Sequence, residues 1–422
     1  MVLLMVASGV GLAVRWVKVP YSIALVIVGL ILGASHLLPP VAMTPELILL
    51  VFLPALLFEA AWNIDVKELI HDWRAIFLLA VPGVVIAMAL GAWVMHLCGA
   101  LSWPMAFLFG AMTAATDPIS VLALFRKMAV DHRLSLILEA ESLFNDGTAV
   151  VLFKLVLALA IAGGASLGAN VNADAFSLSA VSIQFILSVL GGAGIGLAVG
   201  FCSSYVTRFF DDHLLETTLT AIAAYGSYLL ADQFNVSAVI AVLMAGIVVG
   251  NYGSRQNMSA QTRLAVDAFW EYAAFIVNSL VFLMIGLQID LPLLLKYGGK
   301  IAAGILAILV ARVFIVYIFG LLLGAKGKPV PMAWKHMLFW GALRGSLSMA
   351  LALSLPLSFA NREEIIVITF GVVLFTLLVP GLTIEPLAKL LKLSHGPADD
   401  SMSSKIEDNI SENIITTGSE HA

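Results

Sequence analysis

Apolar stretches long enough to cross a bilayer follow one another along almost the whole chain. A spanning helix needs about 17 to 25 such residues, and in lipid every backbone N–H and C=O must find its partner inside the protein. Helical bundles and closed barrels meet that condition, and the short alternating segments of a barrel are absent. The sequence therefore predicts an all-α polytopic membrane protein. Composition agrees: of 422 residues, 61% are hydrophobic and 12% charged, with a mean hydropathy of +1.02. These values exclude an ordinary soluble domain, and nucleic acid is not an expected partner.

Thirteen transmembrane helices are predicted, at 1–14, 21–38, 45–62, 74–98, 103–125, 134–162, 181–209, 214–231, 236–250, 266–289, 301–323, 332–357 and 365–391. The basic residues test that number, because a missed span would scramble their distribution between alternate loops. Sixteen of the 22 Lys and Arg fall on one side, Lys296, Lys300 and Arg362 on the other, and Lys154, Arg312 and Arg344 inside spans. The N-terminus is therefore expected outside and the C-terminus in the cytoplasm, in a plasma or inner membrane. No removable signal peptide is expected, since the first apolar stretch lacks a basic leader and runs into further spans. Residues 396–422 carry six acids against Lys405, which supplies the whole net charge of −5; they are predicted to be a disordered cytoplasmic tail. Cys98 and Cys202 fall towards opposite ends of their spans and are expected unpaired.

An odd number of spans with one central connector, 181–209, allows spans one to six and eight to thirteen to be inverted six-helix repeats. Carriers built this way bind their cargo near the midplane, where broken helices expose carbonyls and half-helix ends. Two breaks are predicted at matching places. The fifth span contains Thr113-Ala-Ala-Thr116-Asp117-Pro118, and the twelfth contains Gly341-Ala-Leu-Arg344-Gly345-Ser346. Pro118 has no N–H and crowds the carbonyl of Ala114, while Asp117 suits the N-cap of the half-helix that follows. Gly345 loosens the twelfth span, and Arg344 suits a helix C-terminal end. Asp117 and Arg344 are thus read either as partners of the half-helix dipoles or as ion contacts.

The sixth span holds Glu139-Ala-Glu141-Ser142-Leu-Phe-Asn145-Asp146. A carboxylate at bilayer depth costs roughly 2.5–3.5 kcal/mol on insertion scales, so such residues mark function. At 100° per residue, Glu139, Ser142 and Asp146 share a stripe of about 60°, with Glu141 and Asn145 on the neighbouring face. Asp146 lies deepest and is expected to take the ion. Glu141 is expected to pair with a buried cation, most plausibly Arg344, and Glu139, nearer the cytoplasmic end, to be an entrance or surface charge. Glu59, about a turn from the inner end of the third span, either joins the site or reaches interfacial water. Lys154 either neutralises a carboxylate or snorkels outwards. Asp232, Asp267 and Glu271, near span ends, are expected to be interfacial. Carboxylate, hydroxyls such as Ser142 and Thr116, and freed carbonyls are the ligands of a small hard monovalent cation. The eight His show no metal-ligand spacing, and no cofactor is expected. The thirteenth span has no charge between Ile365 and Pro380, so one ion site per protomer is predicted.

Four motifs, in order on the expected spans, resemble the cation:proton antiporter superfamily, in particular the NhaP-type electroneutral sodium/proton antiporters. They are Phe52-Leu-Pro54 with Leu56-Leu-Phe58-Glu59, Thr116-Asp117-Pro118-Ile-Ser120, Glu141-Ser142-Leu-Phe-Asn145-Asp146-Gly147, and Leu343-Arg344-Gly345. The resemblance implies that Asp146 is the ion- and proton-binding carboxylate and that Asn145 is the neutral partner of the electroneutral branch. It implies that Ser142, Glu59 and the Thr116 backbone coordinate or organise the cation. It also implies that Glu141 and Arg344 form a stabilising core pair, and that Asp117 is the charge at the helix crossing. By the same resemblance, 1–62 and 214–290 form the interface domain of a homodimer, and 74–162 and 299–391 a moving core. The implied activity is exchange of Na+, or Li+, for H+ by alternating access. A potassium/proton antiporter, a cation channel and, more remotely, an intramembrane enzyme using Ser142 are the alternatives.

Overall fold

The computed structural model describes residues 1–14, 16, 19–35, 44–162, 178–209, 211–254, 258–320, 330–359 and 361–393. The acidic tail, 396–422, lies outside the described residues, as do Arg15, Lys18, Arg255, Lys326 and Lys328 of the basic-residue count. The regular elements are all helical among the described residues. The first half comprises α1 (Val2–Val14), α2 (Tyr21–Ala34), α3 (Leu53–Asn63), α4 (Val66–His71), α5 (Trp73–Ala80), α6 (Pro82–Leu97), α7 (Trp103–Ala114), α8 (Ile119–Lys127) and α9 (His132–Ala162). The second comprises α10 (Leu178–Val206), α11 (His213–Gln233), α12 (Ala238–Val248), α13 (Ala260–Leu287), α14 (Leu291–Lys296), α15 (Gly298–Phe314), α16 (Met332–Trp340), α17 (Ser346–Leu353) and α18 (Arg362–Leu390).

Seven helical segments are long and apolar enough to cross a membrane, and the shorter apolar ones at Val2–Val14, Tyr21–Ala34, Leu47–Asn63 and Ala238–Gly253 match further predicted spans. Length and hydropathy thus account for eleven of the thirteen expected spans. The other two are α11, which carries Glu216 and Asp232, and the interrupted pair α16 and α17. The count of thirteen therefore stands as the sequence expectation.

Prolines shape the helices before the site. Leu47–Phe52 forms a π-helical turn ahead of α3, in which the N–H of Leu53 reaches the carbonyl of Ile48. Pro54 follows immediately; it cannot donate to the ladder and crowds the preceding turn, so the hydrogen bonds slip by one residue. The predicted span 74–98 is divided into α5 and α6 at Pro82 for the same reason.

Both predicted breaks are present, and they meet. Residues 115–118 are non-helical between α7 and α8, as are 342–345 between α16 and α17. The N–H of Asp117 donates to the carbonyl of Leu343 at 2.9 Å, and the N–H of Arg344 donates to Thr376 Oγ1 on α18 at 3.0 Å. The half-helix α8 begins at Ile119, one residue later than predicted, and Asp117 Oδ1 accepts the Ile119 N–H at 3.1 Å. Gly345 is required here, because a Cβ at that position would collide with the Asp117 carboxylate.

Around this junction α6, α7, α9, α15 and α18 pack on one another, with α17 against α18 and α7. A second set joins α2 to α13, and α3, α10 and α11 to α12. Gly286 allows a close approach in that second set, since a Cβ there would strike the backbone of Val26 on α2. Cys98 and Cys202 are both free thiols.

Candidate functional site

A cavity of about 360 Å³ runs between the two helix sets and ends at the breaks. Glu59 of α3 and Glu271 of α13 line it from one set; Asp117, Ser142, Asp146 and Gly345 line it from the other. Among the predicted site residues, Asp146, Ser142, Thr116, Asp117 and Glu59 all border this space. Asn145 does not, because it lies on the neighbouring face of α9, towards Glu141 and Arg344.

The wall of the cavity is tied together at Thr116. Ser142 Oγ donates to the carbonyl of Thr116. Asn145 Nδ2 donates to Thr116 Oγ1 at 2.7 Å, and Asn145 Oδ1 accepts the Thr116 N–H at 3.3 Å. Ser142, Asn145 and Thr116 are all buried, so these bonds satisfy polar groups that would otherwise be costly to bury. Both ends of the Asn145 amide are thereby engaged by one unwound residue. Asp146 is different: its Oδ1 is shut off from solvent and has no hydrogen-bond partner among the described residues. The nearest charges acting on it are those of Asp117 and Arg344.

Glu59 borders the same cavity farther out. Its Oε1 accepts from Asn63 Nδ2 at 3.0 Å, and the charges acting on it are Glu139, Arg126 and Glu271 rather than Asp146. Glu139, predicted to stand at an entrance, lines both this cavity and a wider one of about 790 Å³ beyond it. Lys154 leaves the site alone and lies 3.4 Å from Asp232, both largely exposed.

The predicted core pair needs correction. The guanidinium bonded to Glu141 belongs to Arg312 of α15, not to Arg344. Arg312 Nη1 and Nη2 donate to the two carboxylate oxygens, the second at 2.9 Å. Arg312 also donates from Nε and Nη2 to the carbonyl of Leu338, at 3.1 and 2.8 Å. Leu338 lies in the last turn of α16, where carbonyls lack intrahelical partners. Arg312 therefore takes both roles expected of Arg344, the ion pair and the dipole partner. Arg344 sits in the same tight space with Glu141, Asn145 and Arg312. Its Nη1 donates to Ala342 O at 3.1 Å, while its Nε has no partner among the described residues. Helical spacing gave the face of Glu141 correctly, but spacing within one helix says nothing about which neighbouring helix faces it.

Two further residues at the cavity escaped the sequence reading. Glu271 and Arg126 of α8 both line it. The available signal was that each is a charge within a turn or two of a span end on a helix that also packs near the breaks.

Residues 2–390 match the family model described as "Sodium/hydrogen exchanger, transmembrane". The chain is 44% identical over 378 residues to the Na(+)/H(+) antiporter ApNhaP of Aphanothece halophytica, covering 89% of this chain and 70% of that one. It is 38% identical over 408 residues to the Na(+)/H(+) antiporter NhaH of Halobacillus dabanensis, covering 93% and 96%. The fold matches that of the sodium proton antiporter MjNhaP1 from Methanocaldococcus jannaschii with a TM-score of 0.73 at 20% identity, over 92% of this chain and 97% of that one.

Proposed function

The chain belongs to the transmembrane sodium/hydrogen exchanger family, and on that footing we propose that it is a sodium/proton antiporter whose exchanging group is the Asp146 carboxylate. The observation that carries this reading is Asp146 bordering the inner end of a cavity, with one buried carboxylate oxygen unpartnered among the described residues, beside backbone unwound at two helix breaks that bond to each other. A lone carboxylate with an open lone pair accepts either a proton or a monovalent cation. Ser142 and the Thr116 carbonyl and hydroxyl supply further oxygens of the kind a hard cation needs. Asp117 and Gly345 position the crossing, and Glu59 handles the cation on its way in.

Coupling then requires one condition: the bundle moves between its inward and outward forms only when Asp146 is loaded with one ion or the other. Competition at a single acid makes the exchange obligatory. With Asn145 neutral and bonded at both ends of its amide, one Na+ exchanges for one H+ and no net charge moves, which makes the protein an electroneutral secondary carrier. The cavity between two helix sets is the kind of boundary that such a movement uses. The moving core is 74–162 with 299–391, and the stationary part is 1–62 with 214–290, which also forms the homodimer contact. Under the basic-residue bias the wide outer cavity faces the cytoplasm of a plasma or inner membrane.

Everted vesicles loaded with a pH-quenched dye test the assignment. Addition of Na+ should release protons in the wild type, with Li+ and K+ as comparison arms. Asp146→Asn should abolish the response to every cation, and sodium-driven proton release surviving that substitution would refute the role given to Asp146.

A further inference from the structure

The cavity that ends at Asp146 and the wider space beyond it share five lining residues: Glu59, Leu122, Arg126, Glu139 and Glu271. These residues stand where the two cavities adjoin and form a neck between the wider space and Asp146. Three carboxylates and one guanidinium surround it. Glu59 on α3 and Glu271 on α13 belong to one helix set, and Glu139 on α9 and Arg126 on α8 to the other.

Two of the three arginines near the site, Arg312 and Arg126, contrast sharply. Arg312 is buried and fixed by Glu141 and Leu338. Arg126 is exposed to the cavity, and among the described residues it is locked to no carboxylate, although its charge acts on both Glu59 and Glu139. A guanidinium on a flexible stem, facing three acids and bonded to none, is a cation on a leash. It is held on α8 and stays at the neck, unlike a diffusing ion.

We infer that Arg126 is a tethered competitor of the transported cation: its guanidinium moves among Glu59, Glu139 and Glu271, weakens their pull on free monovalent cations, and so sets the apparent affinity from this side. The inference rests on the antiporter reading, in which the cation travels through this neck to Asp146. Arg126 touches neither Asp146 nor the bound cation and acts as a positioning residue through the neck acids. Removing its charge deepens the negative potential at the mouth, which concentrates cations there.

The test measures sodium-driven proton movement in everted vesicles at a fixed alkaline pH. Arg126→Gln should lower the KM for Na+ about three- to tenfold, with the maximal rate nearly unchanged. Arg126→Glu should lower KM further, and Arg126→Lys should restore the wild-type value. Raising ionic strength with an impermeant organic cation should narrow the gap between variants, since screening weakens exposed charges. An unchanged or raised KM in both Arg126→Gln and Arg126→Glu, or a gap indifferent to ionic strength, would overturn the inference while leaving the antiporter reading intact. Wild-type vesicles lacking any sodium-driven proton movement would overturn both.

Discussion

The two faces of α9 carry the same chemistry into different surroundings. Glu141 and Asp146 are carboxylates five residues apart on one helix. Glu141 is almost fully buried, in a space of about 10 Å³ that is at the lower limit for a single water, and Arg312 meets both its oxygens. Asp146 borders about 360 Å³ and keeps an oxygen without a partner among the described residues. A carboxylate whose lone pairs are filled by fixed donors is a strut, because exchanging any of those donors means dismantling the packing around it. A carboxylate left one donor short beside an accessible space is a receptor. What separates function from structure along this helix is the number of open lone pairs, not the type of residue.

Substitution on each face should break that comparison in opposite ways. Asp146→Asn should eliminate exchange entirely while leaving thermal stability in detergent unchanged or slightly raised, because the amide is nearly isosteric and no fixed partner is lost. Glu141→Gln should do the reverse. It leaves the Arg312 charge buried without its counter-ion, a loss of about 3–5 kcal/mol, visible as a lowered melting temperature and poor yield. Replacing both partners, Glu141→Met with Arg312→Leu, should recover much of that stability, since a dry apolar pair carries no desolvation cost. If Asp146→Asn proved as destabilising as Glu141→Gln, the division of α9 into a strut face and a receptor face would fail.

The receptor face was legible in the sequence because it depends on local features. Helical spacing aligned Ser142 with Asp146, and Pro118 and Gly345 marked the breaks, which the structure contains within a residue of their predicted positions. The all-helical fold was legible for a similar reason: lipid leaves few ways to satisfy a backbone, and hydropathy reports them. The partner of Glu141 was not legible. Arg312 and Arg344 were both intramembrane arginines, and choosing between them requires knowing that α15 packs against α6 while Leu338 presents an orphan carbonyl. The neck as a whole was missed because Arg126 and Glu271 each look like ordinary residues near a span end, although Glu139 was read as an entrance or surface charge. Their grouping exists only once α3, α8, α9 and α13 are brought together.

Asn145 sits between the two regimes, since it shares the dry face but fastens the wet one. Asn145→Ala would leave the Thr116 hydroxyl without its amide donor in a buried site and strip one acceptor from the Thr116 N–H, a cost of about 1–3 kcal/mol. A lower melting temperature and a higher KM for Na+ should appear together, because the same bonds hold the break in shape. Separation of the two effects would mean that Thr116 is held by something other than Asn145.

The smallest effect should come from Ser142→Ala. Its hydroxyl donates to the Thr116 carbonyl within the cavity wall, so it both ties α9 to the break and offers an oxygen to an ion beside Asp146. A hydrogen bond of this kind contributes about 0.5–1.5 kcal/mol, equivalent to roughly a two- to tenfold change in an equilibrium constant. If the oxygen coordinates the ion, the KM for Na+ should rise by about that factor with the maximal rate and melting temperature nearly held, and Ser142→Thr should keep wild-type affinity. If the hydroxyl serves only as a tie, KM should stay put while the melting temperature falls, which would shorten the receptor face of α9 to Asp146 alone.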